Sequence, residues 1–234
     1  MQASIADSGL PDLSAVRVKF YAETYGTGSP APGKGSYAFL NPVPISALAD
    51  RFGGSAVETS LWTITAQTGG TITEAGGVLA LSPNANIGTA QLAVSSNARF
   101  GLPGSSISVQ VPSVVNMGCG VNNSLRVRAN SQNELEWWAE CGNLHANKVV
   151  NGVETTIASV PYSATQHLWW RIRETAGTTF WETSADNVTW TVRASAPSSG
   201  LIPLDNLSVM IYAETYGTGS SAPGTAKYAN MNTN

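Results

Sequence analysis

Charged residues are scarce in this chain. Asp, Glu, Lys and Arg make up 12% of its 234 residues, and the formal net charge is −3. A nucleic-acid surface needs clustered Lys and Arg, so this composition argues against such a partner. No apolar run is long enough to span a bilayer as a helix, and no membrane partner is expected. Long amphipathic helical patterns are lacking as well. The opening stretch, MQASIADSGLPDL, has neither a basic segment nor an apolar core and does not read as a secretory signal. With Met1 as the natural start, the protein is expected to be made and kept in the cytosol until something releases it. That inference lapses if Met1 is not the natural start.

Histidine and cysteine are equally sparse, at two each. Neither Cys119 nor Cys141 sits in a CxxC pair, so no zinc-ligand pattern is visible, and neither a metal nor a cofactor is expected. Two readings of the cysteines stand side by side: buried free thiols, as is usual in a cytosolic fold, or one bridge.

What the chain has instead is a duplication. Residues 18–41 read VKFYAETYGTGSPAPGKGSYAFLN and residues 209–232 read VMIYAETYGTGSSAPGTAKYANMN. The offset, about 190 residues, is far longer than a solenoid repeat of roughly 20–50. The repeated unit is therefore a domain, and only its closing part stands at the front.

Between these copies run short segments rich in Val, Ile, Thr and Trp, broken by Gly, Pro and Asn at regular spacing, the signal of an all-β sandwich or barrel. Strands are expected at 16–24, 36–40, 61–65, 77–81, 89–94, 106–111, 123–129, 134–141, 144–150, 153–160, 167–173, 178–183, 189–194, 207–214 and 227–231. Asn151-Gly152 marks a type I′ hairpin, and Asp186-Asn187 a second tight turn. Residues 42–49 read as an extended linker.

Alternation assigns the faces. Leu135, Trp137, Ala139 and Cys141 share one side of their strand, with Glu134, Glu136, Trp138 and Glu140 on the other. Leu168, Trp170 and Ile172 oppose His167, Trp169, Arg171 and Arg173. A turn near Ser131-Gln132 would set Arg126 and Arg128 against Glu134 and Glu136. The same pairing brings Cys141 close to Cys119. Trp62, Trp170, Trp181 and Trp190 are expected in the core.

Four stretches carry a family resemblance: Asp50-Arg51-Phe52, YSATQHLWWRIR at 162–173, FWETSADNVTWTVR at 180–193, and the closing YANMN at 228–232. With them the chain resembles the concanavalin A-like lectin/glucanase (jelly-roll) superfamily, in the version found in phage tail and virion proteins and in actinobacterial surface proteins. The resemblance implies an antiparallel jelly-roll β-sandwich over residues 48–234, preceded by an N-terminal β arm at 1–47 that duplicates the closing strands. Many relatives close on a strand carrying Asp, where calcium gains a ligand. Ala229-Asn230 stands at that place, which puts calcium in doubt.

The superfamily includes laminarinase-type glycosidases, whose carboxylates are spaced Glu-x-Asp-x-Glu, or with one bulged residue before the last Glu. This chain has Glu134-Leu135-Glu136-Trp137-Trp138-Ala139-Glu140. The central acid is Glu, and the last falls one residue late. Arg126 and Arg128 are expected to neutralise these acids and depress their pKa, which would spoil a general acid. No enzymatic activity is expected. Trp138, Trp169, Arg171, His167, Glu136 and Arg126 form a candidate ligand strip, set against packing or an interface and against a face inverted by a bulge.

The arm supplies the remaining expectation. A closing hairpin cannot stand alone in water. Val16, Val18, Phe20, Tyr21 and Tyr25 would therefore add to a sheet, on a neighbouring subunit by the logic of strand addition. The sequence thus reads as a non-enzymatic phage virion structural protein of tail, tail fibre or capsid. It would be homo-oligomeric, touch other virion proteins and contact a cell-surface glycan. The alternative is a carbohydrate-binding module of a bacterial surface or secreted protein, with a laminarinase-like hydrolase third.

Overall fold

The structure, a computed structural model, describes residues 42–233. The arm strands expected at 16–24 and 36–40, with Val16, Val18, Phe20, Tyr21 and Tyr25, lie outside the described residues. In chain order the strands are β1 (Trp62–Thr68), β2 (Gly70–Ala75), β3 (Val78–Pro83), β4 (Gln91–Ser96) and β5 (Ser106–Ser113). Next come β6 (Val121–Asn130), β7 (Asn133–Glu140), β8 (Asn143–Val150), β9 (Val153–Pro161) and β10 (Trp169–Thr175). The chain closes with β11 (Thr178–Ser184), β12 (Trp190–Pro197), β13 (Ser208–Thr215) and β14 (Ala226–Ala229).

They form two seven-stranded antiparallel sheets, ordered β1-β4-β13-β6-β7-β8-β9 and β12-β11-β10-β5-β14-β3-β2. Most strands turn their apolar side toward the other sheet, as period-2 alternation requires. Trp62, Leu79, Ile107, Leu125, Trp137, Trp170, Trp181 and Tyr228 fill the space between them, all buried. Asn151 and Gly152 take positive φ at the β8–β9 hairpin, as the Asn-Gly pair demands. At the second expected turn, Asp186 Oδ1 accepts the Val188 and Thr189 amides at 2.9 and 2.8 Å.

The C-terminal copy of the duplicated segment supplies a central strand to each sheet. β13 lies between β4 and β6, and β14 between β5 and β3. Its loop is tightly specified. Gly219 has φ +74° and sits so close to Ile87 that a Cβ would come within 2.5 Å of the Ile87 carbonyl. Gly28 stands at the matching place in the first copy.

Four expectations are corrected. The segment read as a linker packs with the sandwich: Ile45 and Leu48 are buried, and the Ile45 amide donates to the Gly101 carbonyl at 2.8 Å. Strand β2 is not among the expected strands, because only Ile72 and Glu74 turn inward and a carboxylate breaks the apolar alternation. The strand expected from His167 starts at Trp169. Trp190 is not in the core; a bulge between Trp181 and Glu182 in the β11–β12 pairing turns it outward.

Cys119 and Cys141 are bridged, with Cα atoms 4.6 Å apart. The bond ties the loop before β6 to the β7–β8 turn.

Candidate functional site

The outer face of the first sheet is polar at its centre. The register sets Arg126 opposite Glu136 and Arg128 opposite Glu134, as the sequence pattern implies. Trp138 stands opposite His145 and Glu136 opposite Asn147 on the far side of β7. From β13, Tyr212 and Glu214 pair with Ser124 and Asn122 of β6. The loop after β13 adds Tyr216, whose hydroxyl donates to Glu140 Oε1.

Arg126 organises this face. Its Nε donates to Ser124 Oγ at 2.7 Å, and its guanidinium lies 4.4 Å above the Tyr212 ring. Its Nη1 reaches Glu134 Oε2 at 3.3 Å, and its Nε lies 3.7 Å from Glu136 Oε2. Arg128 Nη2 holds the other Glu134 oxygen at 3.1 Å. Both arginines therefore serve Glu134 first. Glu136 is 3% exposed, and burial pushes its carboxyl up to about 7 against the opposing pull of Arg126. The expectation that the arginines would depress these acids is thus corrected for Glu136: desolvation outweighs a charge held at 3.7 Å. Burial also raises Glu140, with Glu214 and Glu154 adding to it.

Buried polar atoms without hydrogen-bond partners gather on this face. They are Asn122 Oδ1, Glu136 Oε2, Trp138 Nε1 and Asn147 Oδ1. Each such group costs about 1–3 kcal/mol in desolvation left uncompensated.

The six candidate ligand residues do not form one strip. Trp138, Glu136 and Arg126 share the face just described. Trp169 and Arg171 belong to β10, in the other sheet, on its outer side. Arg171 is committed there. Its Nε donates to Glu182 Oε2 at 2.7 Å, and it stacks 3.8 Å from the Trp190 ring. Arg173 holds Glu182 Oε1 at 2.9 Å. Burial alone would push the Glu182 carboxyl up, but the hydrogen bonds from Arg173 and Arg171 outweigh it and hold it below its ordinary value. Trp169 is 8% exposed, covered rather than offered to a ligand.

His167 belongs to neither face. It is buried in the loop before β10, where its Nδ1 accepts the Ser163 amide at 3.2 Å and its carbonyl accepts the Trp170 indole at 3.0 Å. Burial lowers it to about 4, so it is a neutral structural pin. Asn122, Asn147, Tyr212, Glu214 and Tyr216 were missed. Alternation in the stretch YAETY puts Tyr212 and Glu214 on one side of a strand, but nothing local says that this strand lies beside β6.

Among the described residues, no group of three or more His, Cys, Asp or Glu is placed to hold a metal ion. Among them, too, no helix is long and apolar enough to cross a membrane.

No sequence family and no curated protein matches the chain. Solved structures do. A glycoside hydrolase family protein from Mycobacterium thermorestibile aligns with a TM-score of 0.58 at 12% identity, covering 79% of this chain and 97% of that one. The catalytic domain of an endo-1,3-β-glucanase (laminarinase) from Thermotoga petrophila aligns at 0.56 and 8% identity, covering 78% and 94%. The apo Crh5 transglycosylase aligns at 0.55 and 14% identity, covering 80% and 84%. These likenesses to carbohydrate-active proteins overturn the expectation of a phage virion structural protein. At such identities they show fold alone. The chain carries the concanavalin A-like lectin/glucanase jelly-roll fold.

Proposed function

We propose that this protein is a carbohydrate-binding β-sandwich of a bacterial surface or secreted protein, and that it binds an oligosaccharide on the outer face of β6, β7, β8 and β13. The observation that carries this reading is the gathering of unpartnered polar atoms around one indole. Asn122, Glu136, Trp138 and Asn147 each hold a buried donor or acceptor without a hydrogen-bond partner. A sugar offers hydroxyls that both donate and accept, and an apolar ring face that stacks on an aromatic. These atoms are closed off from water, so a sugar must displace the side chains over them. The half-buried Glu140, His145 and Glu214 are the ones to move. The Cys119–Cys141 bridge suits an oxidising, extracellular setting. The likeness to glycoside hydrolases supports the same substrate class.

A second reading, glycoside hydrolysis, is favoured by one observation. Glu136 is pushed up to about 7, so a large share of it is protonated at neutral pH, the state a general acid needs.

A glycan array tests the first reading, with the parent and a Trp138→Ala variant side by side. Binding by the parent that is lost in the variant supports it; no binding, or binding indifferent to Trp138, removes it. Release of reducing ends from β-glucans, abolished by Glu136→Gln, would establish the second.

A further inference from the structure

At one edge of the sandwich, β1 and β2 leave a cleft between the sheets. It measures about 560 Å³ and is lined by Val57, Trp62, Ile64, Ile72, Thr73 and Glu74 among others, within the range of about 300–1,000 Å³ usual for small-molecule sites. Its walls are the inward sides of the edge strands. Ile64 pairs in register with the buried Val94, yet it is 41% exposed, because it lies at the mouth of the cleft.

Glu74 is the anomaly in this apolar lining. It faces inward from β2 and is 3% exposed. Its Oε1 accepts the Gly54 amide at 2.9 Å, and a Cβ on Gly54 would come within 2.7 Å of that oxygen, so a larger residue there would push the carboxylate aside. Its Oε2 has no hydrogen-bond partner. The acids around it are already spent. Asp50 accepts the Phe52 amide and the Trp62 indole, both at 2.7 Å, and Glu58 accepts the Ser60 amide at 3.0 Å. Burial pushes the Glu74 carboxyl up and the charges of Asp50 and Glu58 add to this, against the hydrogen bond from the Gly54 amide and the weaker pull of the Glu58 amide, which lies beyond hydrogen-bond reach. A buried carboxyl with one bare oxygen is costly unless a charge or donor meets it.

We propose that this cleft binds a small organic cation with an apolar body, an alkyl- or arylammonium. Glu74 Oε2 is closed off from water, so the ammonium reaches it by displacing the side chains over it, and the body packs on Val57, Ile64 and Ile72. Three neighbouring acids, Asp50, Glu58 and Glu74, favour a cation over a neutral donor, and the apolar walls favour a hydrophobic body over a bare metal ion. The site is independent of the glycan face, which is built on β6, β7, β8 and β13.

Titration of the full chain with phenethylammonium, followed by two-dimensional NMR, tests this, with neutral 2-phenylethanol as the comparison. The amine is expected to shift the Trp62 indole and the Ile64 and Ile72 methyl signals saturably, and to bind at least tenfold more tightly than the alcohol. Glu74→Gln should remove that tenfold preference and leave the alcohol unaffected. Ile64→Arg, at the exposed mouth, should also weaken the amine tenfold without disturbing the buried carboxyl, and it carries the test if Glu74→Gln does not fold. Equal binding of alcohol and amine would overturn the proposal, as would no shift at millimolar amine or amine binding that survives these substitutions.

Discussion

The Trp181 indole donates to the backbone carbonyl of Glu136 at 3.0 Å. The side chain of one sheet thus fixes the backbone of the other at the residue whose carboxyl stands on the polar face. The link is reciprocal: Trp137 Nε1 donates to the Arg171 carbonyl at 3.0 Å. Two buried tryptophans therefore cross the core in opposite directions, and each pins a strand that carries a charged group on its far side.

This arrangement makes the core tryptophans unequal to the outer one. Trp170, wholly buried between the sheets, should cost about 3–5 kcal/mol when replaced by Ala. Trp169→Ala, on the outer side, should cost clearly less. Trp181→Phe keeps an aromatic in place but loses the bond to Glu136, about 1–3 kcal/mol. Urea unfolding of the three variants checks this, and equal large losses at Trp169 and Trp170 would contradict the face assignment.

Glu136 should set part of the pH dependence of stability. Its folded pKa, about 7, is raised above its ordinary 4.5. The folded state then holds a proton that the unfolded state has released between those values, so stability from this group is full below about 4.5 and falls as pH rises toward 7. Glu136→Gln removes that fall. Its melting temperature relative to the parent should climb between pH 4.5 and 7 and level off above. His167 acts with the opposite sign. Its folded pKa is lowered to about 4, so its contribution is lost as pH drops from 6.5 toward 4. A variant-minus-parent difference that stays flat across the window would contradict the Glu136 assignment.

The Cys119–Cys141 bridge closes a loop spanning a sequence separation of 22. Chain-entropy reasoning puts such a crosslink at about 3 kcal/mol. Melting with and without reductant should show a loss of that order, and Cys119→Ser with Cys141→Ser should reproduce it. Reduction without effect on the midpoint would contradict this.

Much of the fold was legible because alternation is local. The greasy side of β7, Leu135, Trp137 and Ala139, is wholly buried, and the Arg126–Glu136 and Arg128–Glu134 pairs follow from one hairpin. Errors came where local periodicity breaks. In β2 the inward Glu74 mimics a surface residue, and at Trp190 a bulge reverses the count. The site was half legible for a different reason. Trp138, Glu136 and Arg126 lie on neighbouring strands of one hairpin. Tyr212 and Glu214 reach the same face only because β13 pairs with β6, a register that joins residues as far apart in sequence as Asn122 and Glu214, 92 positions. Arg171 and Trp169 carried the same sequence signal as Trp138 and Arg126, but their strand lies in the opposite sheet.

The indole N–H of Trp138 offers the most direct test of the glycan-binding account. It is buried and unpartnered, so a sugar oxygen that reaches it should move its NMR signal downfield. Titrating the protein with β-linked oligosaccharides should shift the Trp138 indole resonance, while those of Trp169 and Trp190 stay in place. A Trp138 signal unmoved at millimolar oligosaccharide, or shifts confined to Trp169 and Trp190, would contradict the proposed binding face.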